Sequence, residues 1–121
     1  MQANVSEQED SLQEHQCTYD SATQTIVLAG MLRLDGLKAY EPIVEFLENV
    51  VSRAPDHLTL DIRELEYLNS SGIAVLSRFV LGLHRQGNIQ LTVKASSQVT
   101  WQARSVRNLL RLMPDAELEF C

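Results

Sequence analysis

Two adjacent serines, Ser70 and Ser71, stand between Asn69 and Gly72 where one hydrophobic rhythm gives way to another. Upstream, Leu58, Leu60 and Ile62 alternate with Thr59, Asp61 and Arg63, the period of a half-buried strand. Downstream, Ile73, Leu76, Val80 and Leu83 recur at helical spacing. The two hydroxyls therefore sit at a strand-to-helix junction. A helix N-terminus carries free N–H groups and partial positive charge, so it tolerates an added anion. Taken by position alone, the same residues also read as helix caps: Asn69 or either serine can accept a bond from a first-turn N–H.

Other chemistry has little to build on. A serine nucleophile needs a base within reach and usually a strained Gly-x-Ser-x-Gly elbow, which the chain lacks. His15, His57 and His84 fall in separate segments whose spacing suits neither a triad nor a metal. No Gly-rich loop of phosphate-cradling form occurs. The expectation is a protein that is not an enzyme and needs no cofactor or metal. Cys17 and Cys121 lie far apart, with no Cys-x-x-Cys, and read as reduced thiols of a cytoplasmic protein. No apolar run approaches the ~20 residues that span a bilayer, and the acidic start does not read as a secretory signal. The formal net charge is -6, and Glu7, Glu9, Asp10 and Glu14, with no Lys or Arg among them, carry much of it. That balance argues against nucleic acid or an anionic membrane as partner.

The elements that must position the serines can be laid out in order. Residues 1–14 are polar and acidic, cannot bury enough apolar surface to offset ordering entropy, and read as a disordered tail; residues 15–121 form one domain. A short strand over 17–20 turns at Asp20-Ser21 into a second strand over 25–32. Apolar residues on both faces of that second strand suggest a strand more centrally buried than its neighbours. A helix over 39–52 accepts Pro42 in its first turn and turns Ile43, Phe46, Leu47, Val50 and Val51 inward. The organising strand, loop and helix follow. Gly87-Asn88 marks a turn before a strand over 89–95. A helix over 98–113 has Val99, Ala103, Val106, Leu110 and Met113 as its core face and Arg104, Arg107 and Arg111 as a basic stripe, and a strand over 116–120 ends the chain. The order is β-β-α-β-α-β-α-β. Polar residues alternate along the later strands, which predicts an α/β protein of the mixed-sheet (α+β) kind with its helices mainly on one face.

The helix after the serines has an unusual back. With its core face turned inward, Ala74, Arg78, Leu81 and Arg85 share the opposite side. A bulky Leu81 between two arginines on a nominally exposed face suits a docking surface, or simply borders a neighbouring element.

Leu60-Asp61-Ile62, then Tyr67-Leu68-Asn69-Ser70-Ser71-Gly72-Ile73 and an apolar helix, resembles the STAS domain, named for sulfate transporters and anti-sigma factor antagonists. The element order resembles that fold over nearly the whole chain after residue 14. Asn69 stands where the family commonly has Asp, which keeps a cap but removes a negative charge. The resemblance implies a stand-alone, bacterial-type partner switch. Ser70 maps onto the phosphate acceptor, with Ser71 the fallback, and Asp61, Asn69 and Gly72 complete the motif. The implied partners are a serine kinase, which doubles as an anti-sigma factor of the histidine-kinase-like ATPase type, and a PP2C-type phosphatase. Ala74, Arg78, Leu81 and Arg85 belong to the implied partner surface. An unphosphorylated STAS scaffold, a homodimerising module and a nucleotide-responsive module are the alternatives.

Overall fold

Asp20 makes the first turn: its Oδ1 accepts the Ala22 N–H at 2.9 Å, closing a hairpin between β1 (His15–Asp20) and β2 (Thr25–Leu32). The structure is a computed structural model that describes residues 14–121. After the hairpin come α1 (Gly36–Ala39), α2 (Glu41–Ser52), β3 (His57–Asp61), β4 (Leu65–Leu68), α3 (Ser70–Gln86), β5 (Gln90–Ala95), α4 (Thr100–Leu110) and β6 (Glu117–Phe120). The expected order is present, with α1 and β4 inserted where the sequence reads as loop. The acidic tail lies outside the described residues except for Glu14, whose carboxylate pairs with Arg33 at 2.6 Å.

The strands form one mixed sheet in the order β1-β2-β3-β5-β6, with β4 beside the end of β2. The β1–β2 pair is antiparallel, and from β2 onward each strand of the path adds parallel to the last, always in the same direction across the sheet. Right-handed crossovers in one direction put α2, α3 and α4 on one face. The register agrees. Tyr19, Ile26, Leu60, Val93 and Leu118 form a row across five strands, and Ile26, Leu60 and Val93 are fully buried. The next row, Thr18, Val27, Asp61, Lys94 and Glu119, points the other way and sets Lys94 between two carboxylates. A single hydrophobic cluster joins the apolar face to Leu47 and Val50 of α2, Leu76 and Val80 of α3, and Val106 and Leu109 of α4. Each such buried aliphatic side chain stabilises the fold by about 1.5–3 kcal/mol.

Several local expectations are corrected. The second strand is more buried than the edge strand β1 but less than β3, because its outward residues Val27, Ala29 and Met31 are only half-buried. β3 stops at Asp61, because its carboxylate folds back to accept the Arg63 N–H at 3.1 Å and the guanidinium at 2.8 and 3.0 Å. The chain then re-enters the sheet as β4. Gly30, at φ 87, makes the bulge at which β2 changes partner from β3 to β4, and its N–H donates to the Glu64 carbonyl at 2.8 Å. In α3, Val75 is buried and Ile73 half-buried, the reverse of their expected places.

In α4 the core face is rotated. Ala103 is exposed, Leu110 is half-buried, and Gln102, Val106, Leu109 and Met113 face inward. The fully buried Gln102 clamps the interrupted strand. Its Nε2 donates to the Ile62 and Leu65 carbonyls at 2.7 and 2.8 Å, and its Oε1 accepts the Ser96 N–H at 2.8 Å. The rotation serves that clamp, since a buried polar group must be hydrogen-bonded.

Candidate functional site

The junction of β4 and α3 is built around Asn69. Its backbone is extended (φ -83, ψ 177), and its Oδ1 accepts the Gly72 N–H at 2.9 Å, so Asn69 is the N-cap of α3. The other amide atoms are engaged as well. Nδ2 donates to the Leu34 carbonyl at 2.8 Å, the backbone N–H donates to the Leu32 carbonyl at 3.1 Å, and the Tyr40 hydroxyl donates to Oδ1 at 2.6 Å. Burial pushes the Tyr40 hydroxyl above the usual phenol range, which keeps its proton available for that bond. This network gives a physical reason for an amide here. A carboxylate could still cap the helix, but it would turn an acceptor oxygen toward the Leu34 carbonyl and lose the bond.

Gly72 is needed for a different reason. A Cβ at this position would come within 2.8 Å of the Tyr40 hydroxyl and collide with Leu68. The first turn of α3 is therefore pressed onto Tyr40 and the end of β4, which fixes where residues 70 and 71 stand.

Because Asn69 caps the helix, the serines do not have to. Ser70 is the first helical residue and is exposed, whereas Ser71 is half-buried. Among the described residues the Ser70 hydroxyl has no hydrogen-bond partner. The Gly72 N–H goes to Asn69 Oδ1 and the Ile73 N–H to the Asn69 carbonyl at 2.9 Å. That leaves the Ser70 and Ser71 N–H groups without a partner among the described residues, beside an open hydroxyl at the positive end of a 17-residue helix.

The structure brings some of the other predicted residues to this side and not others. At 100° per residue, Ser70, Ala74, Arg78, Leu81 and Arg85 share one outward stripe of α3. Arg78 and Arg85 are exposed; Leu81 is half-buried yet lies outside the hydrophobic cluster, so its neighbour is not the core. Asp61 is elsewhere: it lies on the sheet face away from the helices, with β4 between it and Ser70. Burial pushes its carboxyl upward, but the Arg63 hydrogen bonds and charge, with Lys94 beside it, outweigh that and hold it below the usual carboxylate range. The histidines are dispersed over β1, β3 and the last turn of α3, and His57 Nε2 lies 3.1 Å from Thr92 Oγ1. Among the described residues, His, Cys, Asp and Glu form no group of three that could hold a metal ion, and no helix is long and apolar enough to cross a membrane.

Tyr40 and Gln102 escape the sequence reading. Tyr40 precedes a helix whose own spacing does not need it, and its role depends on Asn69, 29 positions away. Gln102 could have been noticed: residues 102, 106, 109 and 113 fall on one helical face, and Gln is its polar member.

Searches against models of known protein families and against curated proteins find no match for this chain.

Proposed function

We propose that the chain is a STAS-type domain that acts as a phosphorylation-controlled partner switch in the cytoplasm. In the unphosphorylated form it binds a serine kinase of the histidine-kinase-like ATPase type that also serves as an anti-sigma factor. That kinase moves the γ-phosphoryl of ATP to Ser70 Oγ, ADP leaves, and a PP2C-type phosphatase hydrolyses the ester to reset the switch.

The observation that carries this reading is the division of labour at the start of α3. Asn69 supplies the cap, so the exposed Ser70 hydroxyl is not committed to holding the helix. Phosphorylation would add about -1.5 to -2 charge there. The neighbouring N–H groups and the helix dipole tolerate that anion, so the fold persists. A partner docked on Ser70, Ala74, Leu81 and the flanking arginines would instead have to desolvate a dianion, and it dissociates. Ser71, half-buried one position on, is the weaker acceptor.

The test is to incubate the protein with its cognate kinase and ATP and to map phosphate by fragment mass spectrometry. Phosphate on Ser70, lost in Ser70→Ala, is the expected result. Phosphate at a residue outside the Ser70-Ser71 pair, or none, overturns the reading.

A further inference from the structure

A second concave surface lies between α2 and α3, beside the Ser70 stripe. It is a groove of ≈ 1070 Å³ whose floor is apolar, with Val44, Leu47 and Val51 from α2 and Val75, Phe79 and Leu83 from α3. The α2 lip carries Glu41, Glu45 and Glu48, all exposed and on one helical edge. The α3 lip carries Arg78, Gly82 and Gln86, and Lys38 of α1 is a single cation on the groove's acidic side. Among the described residues, Arg78 and the three glutamates make no salt bridge, although they line the same groove.

Gly82 adds an independent sign. It is exposed in the middle of α3, where glycine weakens a helix relative to alanine. A Cβ there would meet nothing within 4 Å, so no described neighbour requires its absence. Its effect is to lower the α3 lip, opening a gap through which a side chain from outside can reach the floor.

We propose that this groove docks an amphipathic helix of a partner protein, with Lys or Arg along the edge that meets α2 and an acidic residue placed for Arg78. The α2 lip sets the length: 12 residues of helix span about 18 Å, or roughly three turns. Apolar ridges at helical spacing on both walls accept a third helix, and the acidic lip selects its charge. The chain's own residues 1–13 carry Glu7, Glu9 and Asp10 and no Lys or Arg, the wrong charge for this lip. The groove shares Arg78 with the Ser70 stripe, but the proposal does not need the Ser70 switch.

The probe is a fluorescein-labelled synthetic helix of about four turns with a leucine stripe and lysines along one edge, compared with a twin in which each lysine is glutamate. Both are titrated against the full chain by fluorescence anisotropy, and amide NMR shifts map the contact. The lysine peptide is expected to bind at least about tenfold more tightly than its twin, with shifts at Val44, Val51, Phe79 and Gly82. Gly82→Leu, filling open space, should weaken binding at least about tenfold with the melting temperature unchanged or raised. The surface pair Glu45→Lys with Glu48→Lys should invert the preference. Equal binding of the two peptides, shifts away from the groove, or indifference to both Gly82→Leu and the charge reversal would overturn the proposal. So would sedimentation showing a dimer of the chain that Gly82→Leu dissolves, which would assign the groove to a second copy.

Discussion

Asn69 and Gln102 are both amides that fasten a helix to the segment around β4, and they do so in opposite surroundings. Gln102 is sealed: its side chain is fully buried, and every bond that side chain makes is to backbone within the fold. Asn69 makes as many bonds but lies at the rim, next to an exposed hydroxyl. At both sites the amide oxygen and nitrogen are hydrogen-bonded. At Gln102 that ends the matter, whereas at Asn69 it leaves Ser70 unemployed. A hydroxyl relieved of structural duty can be modified without loosening the fold.

The largest effect should come from the sealed amide. Gln102→Leu keeps much of the volume but strands the Ser96 N–H, while the Ile62 carbonyl still accepts the Leu65 N–H at 2.9 Å and the Leu65 carbonyl still accepts Trp101 Nε1 at 3.2 Å. One orphaned donor and two weakened carbonyls cost about 1–3 kcal/mol together, so the urea midpoint should fall by the equivalent of about 1–3 kcal/mol. A change below about 1 kcal/mol would mean that the clamp is incidental.

Asn69→Asp should cost less, about 1–2 kcal/mol, through loss of the Leu34 bond, partly offset by a favourable charge at the helix N-terminus. Equal or greater stability of the variant would remove the physical reason given for the amide.

The Asp61–Arg63 pair, on the far face, is smaller still. Its folded pKa lies below the unfolded value of about 3.9. Its stabilisation is therefore complete above that value and is lost as pH falls through the folded pKa. Arg63 is exposed, so solvent screens the pair and its contribution is small. Arg63→Ala should flatten the acid limb of a urea-midpoint profile and leave neutral pH nearly unchanged; an unaltered acid limb would show that the pair does not contribute.

Ser70→Ala should shift stability by no more than about 0.5 kcal/mol, as an exposed site without partners does. A loss near 1 kcal/mol would return Ser70 to the role of helix cap.

The sequence makes one half of this comparison legible and conceals the other. Alternation in β3 and helical spacing in α3 locate the junction, because local periodicity records which side faces the core. The same rule misplaces the inward face of α4, since a polar residue at 102 looks like solvent exposure until its carbonyl partners are brought to it from Ile62 and Leu65. Strand β4 is only four residues long and depends on the Gly30 bulge in a distant strand, so no local pattern announces it. Asn69 is recognisable as a cap from its place before a helix, but its need for an amide rests on Leu34 and Tyr40, which the fold supplies. The groove is hidden for the same reason: α2 and α3 each read as amphipathic, and the gap between them belongs to neither.

Charge on Ser70 is expected to change binding without changing the fold. The direct measurement is calorimetric: the affinity of the partner kinase for the unmodified protein and for protein carrying phosphoserine at position 70, with thermal melts of both forms. The account predicts at least about tenfold weaker binding of the phosphorylated form, equivalent to about 1.4 kcal/mol, with melting temperatures that agree closely. Equal affinities, or weaker binding accompanied by loss of the folded transition, would contradict it.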